Sequence, residues 1–210
     1  MRILYIDTTT SYLYTGIVED DKLLKEIKHN YGKDLSSVTL KSISEMLDSV
    51  NLKANDIDKI IVVNGPGSFT GIRIGVTIAK TFAYSLGKEI TTISSLEAMS
   101  VSSKRNTKYI VPIIDARRGY VYASIYDNSM NPVLKEQYIS MDALLVAVDN
   151  LIDEYTFIGN YKEIDTEEYD PDILKIVNTF KEKESINPHL VNPIYLKKTE
   201  AEENQKVELI

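Results

Sequence analysis

Two hydrophobic periods alternate along this chain, and each change of period marks the edge of an element. Residues 1–6 form an apolar run broken only by Arg2, a strand that ends at Asp7, and residues 12–17 alternate in the period of two that a second strand requires. Leu40, Ile43, Leu47 and Val50 then recur at helical spacing in a segment opening near Ser36, and a polar connection over 51–58 leads to Ile60-Ile61-Val62-Val63. That β-branched run has no polar face, the signature of a strand covered on both sides. Residues 70–86 read as a long helix closed by Gly87, residues 90–93 as a short strand, and Ser94-Ser95-Leu96-Glu97-Ala98-Met99 as the start of another helix. Beyond a polar linker over 102–108 come a second strand pair, a helix over 141–151, a short strand Thr156-Phe157-Ile158 followed by Gly159, and a helix over 171–183. This order predicts an α/β protein in two units, 1–103 and 104–210, with the last segment free to return to the first.

The two units open alike. Residues 6–17 align without a gap on residues 114–125, an offset of 108 residues, so that Asp7 meets Asp115 while Tyr12 and Tyr14 meet Tyr120 and Tyr122. Each copy is an apolar strand, an aspartate, a hydrophilic turn and an alternating strand, and each continues into Leu-Lys-Glu (Leu24-Lys25-Glu26 and Leu134-Lys135-Glu136). We read this as a duplicated β-hairpin opening two similar domains.

Between the buried strand and the long helix lies Gly65-Pro66-Gly67-Ser68-Phe69-Thr70-Gly71-Ile72-Arg73-Ile74-Gly75. Glycines allow positive φ and close backbone approach, and free amides at a helix start can receive an anion. Neither phosphate fingerprint fits, however. A P-loop places four residues between its glycines and follows them with Lys and Ser or Thr, whereas five residues separate Gly65 from Gly71 and Ile72-Arg73 follows. The dinucleotide pattern fails by one residue. An anion site and a packing turn remain equal readings. Within the helix, Gly71, Gly75, Ala79 and Ala83 recur every four residues as a small-residue ridge along one face. Ile74, Ile78 and Phe82 form a parallel row suited to the protein's own sheet, which leaves the ridge as the expected docking face for another helix or a second copy.

Composition narrows the function classes. A hydrophobic content of 43% argues against disorder, and the absence of cysteine excludes disulfides and Cys-ligated metal sites. The early charge at Arg2 does not suit a signal peptide and no apolar run reaches membrane-spanning length, so a cytosolic protein without a membrane partner is expected. A net charge of −7 offers no footprint for holding nucleic acid unaided. The two histidines, His29 and His189, lie in different units.

The Asp7-Thr8-Thr9-Thr10 turn, the glycine loop, the Ser94-Ser95-Leu96-Glu97-Ala98 run and the late Pro193-Ile194-Tyr195-Leu196-Lys197 together resemble the TsaB (YeaZ) family, in order and over nearly the whole chain. The resemblance implies a two-domain fold of the actin, Hsp70 and acetate-kinase (ASKHA) type, each domain opening with a β-meander. It also implies an accessory role in forming threonylcarbamoyladenosine beside the anticodon of tRNAs that read ANN codons. Transfer itself is attributed to the related TsaD. The implied partners are TsaD in a heterodimer and the ATPase TsaE, with a homodimer when the chain is alone and tRNA reached only through the complex.

The catalytic relative carries a His-x-x-x-His metal pair, and the matching positions here are Ser95 and Met99, which removes the support for a peptidase reading. Many family members have His-Ser where Leu35-Ser36 stands. In kinases of this fold an aspartate and a glycine-containing turn handle metal-phosphate; here Thr8-Thr9-Thr10 crowd that space, and Arg117 and Arg118 stand ready to pair with Asp115. Asp7, Thr8, Thr9, Gly67, Ser68 and Asp115 are thus the candidate remnant of a nucleotide site, with both aspartates read as structural. No tightly bound cofactor or metal is expected, and weak ATP or ADP with magnesium at the partner interface stays open. The alternative is an independent small-molecule kinase or weak ATPase of the same superfamily.

Overall fold

The computed structural model describes residues 1–197. In chain order the first half is β1 (Arg2–Asp7), β2 (Tyr12–Glu19), β3 (Lys22–Asn30), α1 (Leu35–Ser49), β4 (Lys59–Val63), α2 (Phe69–Leu86), β5 (Glu89–Ile93) and α3 (Ser95–Ser102). The second is β6 (Tyr109–Asp115), β7 (Tyr120–Asp127), β8 (Pro132–Ser140), α4 (Met141–Asp149), β9 (Tyr155–Gly159) and α5 (Ile173–Phe180). The first sheet has the order β3-β2-β1-β4-β5 and the second β8-β7-β6-β9. In both, an antiparallel meander of three strands adds a parallel strand beside its first member. The duplication read from 108-residue spacing is therefore a duplication of topology.

Local chemistry sets the element ends. Asp20 and Asp21 carry the positive φ values, 44° and 65°, that a two-residue hairpin turn between β2 and β3 needs. Ser68 caps α2 by accepting from the Gly71 amide, and Gly87 closes it in the left-handed region at φ 63°. Ser94 and Glu97 form a reciprocal capping box at the start of α3.

The first sheet is covered on both faces, as the β4 run requires. Leu4, Ile6, Ile60 and Val62 pack against Ile43, Met46, Ile72 and Val76 of α1 and α2. On the other face Ile3, Tyr5 and Ile61 meet Ala98 and Val101 of α3 and Ile173, Ile176, Val177 and Phe180 of α5. The second sheet rests on α4 through Val111, Ile113, Val121 and Leu144, and its other face reaches α3 through Ile110, Tyr126 and Ile158. The chain thus returns to the first sheet at α5, well before its last segment. There the buried Lys59 ammonium donates to the carbonyls of Lys181 and Lys183, each at 2.8 Å, and lies 3.9 Å from the Glu89 carboxylate, which together satisfy its donors and its charge. Further on, the Ile194 amide donates to the Asn64 carbonyl and Asn64 Nδ2 donates to the Asn192 carbonyl. Residues 198–210, the end of the second unit expected from the sequence, lie outside the described residues.

Candidate functional site

The glycine loop is folded against the end of β1. Gly65 and Gly67 adopt φ values of +117° and +157°. A Cβ on Gly67 would sit 2.5 Å from the Thr9 carbonyl oxygen, and one on Gly71 2.0 Å from the Thr8 carbonyl oxygen. Hydrogen bonds fix the same approach: the Ser68 amide donates to the Thr9 carbonyl at 2.7 Å, and Thr8 Oγ1 donates to the Gly71 carbonyl at 2.7 Å. Of the two readings of this loop, packing accounts for its glycines. The Ser68 and Gly71 amides already have partners within the chain, while among the described residues the Phe69 and Thr70 amides at the same helix start have none.

The paired aspartates make the same turn in the two copies. Asp7 Oδ1 accepts from the Thr9 amide at 2.8 Å, and Asp115 Oδ1 from the Arg117 amide at 2.7 Å. Their surroundings differ. Asp7 is 1% exposed, also accepts from the Thr9 hydroxyl at 2.7 Å and faces the Tyr5 hydroxyl at 3.5 Å, with no ion pair among the described residues. Burial therefore pushes its carboxyl above the usual carboxylate range, against the opposing pull of the Thr9 amide and hydroxyl and of Tyr5. Asp115 is exposed, and among the described residues neither Arg117 nor Arg118 forms the ion pair with it expected from the sequence. The turn presents the Arg117 amide, not its guanidinium, to the carboxylate.

A prediction follows from the sign of the Asp7 shift. A carboxyl whose pKa is raised on folding favours the fold below the ordinary carboxylate pKa and loses that contribution as pH rises through the raised value. Asp7→Asn keeps the acceptor for Thr9 and removes the titration. The variant should be as stable as the parent or more so at neutral pH, with the parent's advantage appearing only in acid. Urea midpoints measured across the carboxylate range check it, and a variant less stable than the parent at neutral pH would contradict it.

Between the two halves lies a cleft of about 670 Å3. Thr9, Gly67, Ser68 and Gly71 line it from the first half, and Asp115 from the second, while Asp7 and Thr8 are buried beneath its wall. Lys33, Arg117 and Tyr122 also line the cleft; sequence reasoning did not single them out as site residues. The duplicated hairpin is the signal that could have found Arg117 and Tyr122, since Arg117 lies in its turn two residues after Asp115 and Tyr122 in the strand that follows. Ser95 and Met99, at the places of the metal pair, are core residues: the Ser95 hydroxyl donates to the Pro66 carbonyl at 2.6 Å and Met99 packs with Leu96, Ile110 and Ile158.

The expected docking ridge faces the other way. Gly71, Gly75, Ala79 and Ala83 are all buried, in contact with β1 and the core it shares with β4. A Cβ on Gly75 would lie 2.4 Å from Thr8 Oγ1 and 3.7 Å from Ile6 Cγ2. Small residues are required because α2 crosses the sheet closely where the end of β1 rises toward it; the ridge serves the protein's own core and not a partner. Ile74, Ile78 and Phe82, expected against the sheet, are half-buried at the flank. What α2 exposes is a different set. Phe69 is 55% exposed, the Arg73 guanidinium lies 3.8 Å over its ring, and Arg73 Nε donates to the Tyr195 hydroxyl at 3.0 Å. Tyr195 closes the group with its ring 5.4 Å from Phe69. At the far end Tyr84, 65% exposed, stands edge-on to His189 at 4.7 Å.

Duplicated meanders with a parallel strand added to each, facing one another across a cleft, define an actin-type two-lobed protein. A family model described as "TsaD: tRNA N6-adenosine threonylcarbamoyltransferase" matches residues 23–170. The chain is 30% identical to a Bacillus subtilis tRNA threonylcarbamoyladenosine biosynthesis protein TsaB, over 96% of each chain. It is 37% identical to the Haemophilus influenzae TsaB over 59% of this chain and 53% of that one. The fold matches that of YeaZ from Pseudomonas aeruginosa with a TM-score of 0.76 at 20% identity, covering 93% of this chain and 99% of the other. The chain belongs to the TsaB (YeaZ) family and carries a TsaD-like domain.

Proposed function

We propose that this chain is a non-catalytic accessory subunit in the formation of threonylcarbamoyladenosine on tRNA, acting by binding a TsaD transferase, together with the ATPase TsaE. The Bacillus subtilis relative bears the name of a protein of this biosynthesis, which supplies the pathway. The observation that carries the accessory role is the closed turn: the Thr8-Thr9 backbone and the glycine loop lie against each other, joined by the Ser68 amide donating to the Thr9 carbonyl and the Thr8 hydroxyl donating to the Gly71 carbonyl. On this reading the turn is held closed by its own hydrogen bonds, and no chemical step is derived through a nucleotide. The α2 face supports the binding role. An arginine that lies over one exposed aromatic ring and donates to the hydroxyl of a second is the composition of an interface anchor, because it presents large rigid area at small entropic cost.

On this reading the TsaD contact is made by Phe69, Arg73 and Tyr195 with the outward residues of α2 beside them, in place of the small ridge. The same face serves a second copy when TsaD is absent. RNA is held mainly by the partner, as the net charge of −7 requires. Light scattering on a mixture with TsaD should give a heterodimer, and separate species at micromolar concentration would contradict the proposal.

The second reading, a kinase or weak ATPase, keeps one supporting observation, the cleft between the lobes. It makes a distinct prediction. A working nucleotide site would raise stability by about 2.7 kcal/mol at ligand a hundredfold above its dissociation constant. Thermal melting of the isolated chain with magnesium and ATP is expected to show no such shift, and a shift of that size would favour the enzyme.

A further inference from the structure

The two copies of the hairpin differ in what covers their tyrosines. In the first, Tyr12 stacks on Tyr14 at 5.2 Å, and Tyr14 is buried with Tyr169 edge-on at 6.0 Å. In the second, Val121, Ala123 and Ile125 of β7 face α4, so Tyr120 and Tyr122 share the opposite face, where β8 places Tyr138 in register with Tyr122. Tyr120 lies parallel to Tyr138 at 4.7 Å with 11° between the planes, Tyr122 stands 5.8 Å from the same ring, and Lys197 Nζ is 5.4 Å over it. Nothing described covers this face at its edge: Tyr120 is 40% exposed and Tyr122 lines the cleft.

Two arginines stand on the turn that leads into these rings. The turn before β7 is closed by the Ala116 amide donating to the Tyr120 carbonyl and the Tyr120 amide donating to the Arg117 carbonyl, and Arg117 lines the cleft together with Tyr122. Both arginines are exposed, both have positive φ, and neither makes an ion pair among the described residues. The first copy has Thr9 and Thr10 at these places, so the cations are not a demand of the turn. Stacked rings reached by a turn that carries two arginines without ion pairs match an unstacked base with a phosphate on each side. A free nucleotide is a poorer match, since the phosphate turns of the cleft are closed by the chain itself.

We propose that the Tyr120, Tyr122 and Tyr138 face is a stacking platform for an unpaired base of a single-stranded RNA loop, with Arg117 and Arg118 taking the flanking phosphates. This rests on the reading of the chain as part of a tRNA-modifying assembly and deepens it by naming an RNA contact. Stacking is tolerant of low charge, so an acidic chain can contribute it while a partner supplies most of the electrostatic hold.

The test is a hairpin RNA with 2-aminopurine in its loop, titrated into the full chain and followed by quenching of the base. Tyr120→Ala is expected to weaken binding about tenfold, and Tyr120→Phe to restore it, because the ring and not the hydroxyl stacks. Arg117→Ala with Arg118→Ala should lower the slope of log affinity against log salt by about 1.4. Binding of Tyr120→Ala equal to the parent's would overturn the platform. So would equal competition by a loopless duplex, by free ATP or by an acidic peptide. In a mixture with TsaD and TsaE, Tyr120→Ala should raise KM for tRNA several-fold with kcat and melting temperature unchanged. An unchanged KM defeats the platform while leaving the accessory role intact; a parent chain that supports no modification defeats the accessory role, and the hairpin titration then still judges the platform.

Discussion

Gly75→Leu is expected to destabilise this protein, not to disconnect it from a partner. The first added carbon already falls 2.4 Å from Thr8 Oγ1, with Ile6 immediately behind, so the rest of the side chain would enter the contact between α2 and β1. Overpacking of a filled core typically costs about 1–3 kcal/mol, and here the helix cannot slide away without opening the packing of Ala79 and Ala83 against the same sheet. Replacing glycine in a helix returns roughly 1 kcal/mol, which offsets only part of a clash in the upper half of that range. Gly71→Ala should do comparable damage with one carbon, because its Cβ meets the backbone carbonyl of Thr8 at 2.0 Å and would break the bond Thr8 donates to Gly71. Against a typical total of about 5–15 kcal/mol, losses of this size are large. Urea unfolding should show both midpoints falling with little change in slope. Retention of the parent midpoint would mean that the ridge is free after all.

Arg73→Glu combined with Phe69→Ala should do the reverse, removing association while sparing the fold. Both side chains are exposed, and the contacts they make, with each other and with Tyr195, are surface contacts of small net worth to stability. At an interface the same cluster would be a desolvated anchor, and truncating such residues costs about 2 kcal/mol or more, a loss near thirtyfold. Affinity for TsaD should therefore fall by at least that factor while the melting temperature stays within a degree or two of the parent's. Unchanged affinity would remove this face from the account.

The contrast between these variants also shows how far the sequence could be read. Periodicity placed α2 within one residue of its start and at its end, because Ser68, Gly87 and the apolar rows all act locally. The repeat at Asp7 and Asp115 was legible for a similar reason, since a short turn that satisfies its aspartate leaves a contiguous trace. Which face of α2 turns inward was not legible. Two rows, one small and one branched, both suit a sheet, and the choice depends on how near β1 rises beneath the helix, a distance fixed by residues more than sixty positions away. The packing of α5 on the first sheet and the arrival of Tyr195 beside Arg73 were hidden by the same circumstance: each joins segments separated by a hundred residues or more, and no local pattern records the partner. Asp7 and Asp115 look alike in sequence yet differ in exposure because Tyr169 and α5 cover only the first copy.

The central claim is that this chain supports a modification it does not perform. The most direct measurement is threonylcarbamoyl transfer to unmodified tRNA, followed with labelled threonine and supplied threonylcarbamoyl-adenylate, using the chain alone, TsaD alone and the two together with TsaE. We expect no product from the chain alone and sustained product only from the mixture, with the Arg73→Glu and Phe69→Ala variant failing to sustain it. Product from the chain without TsaD would contradict the account.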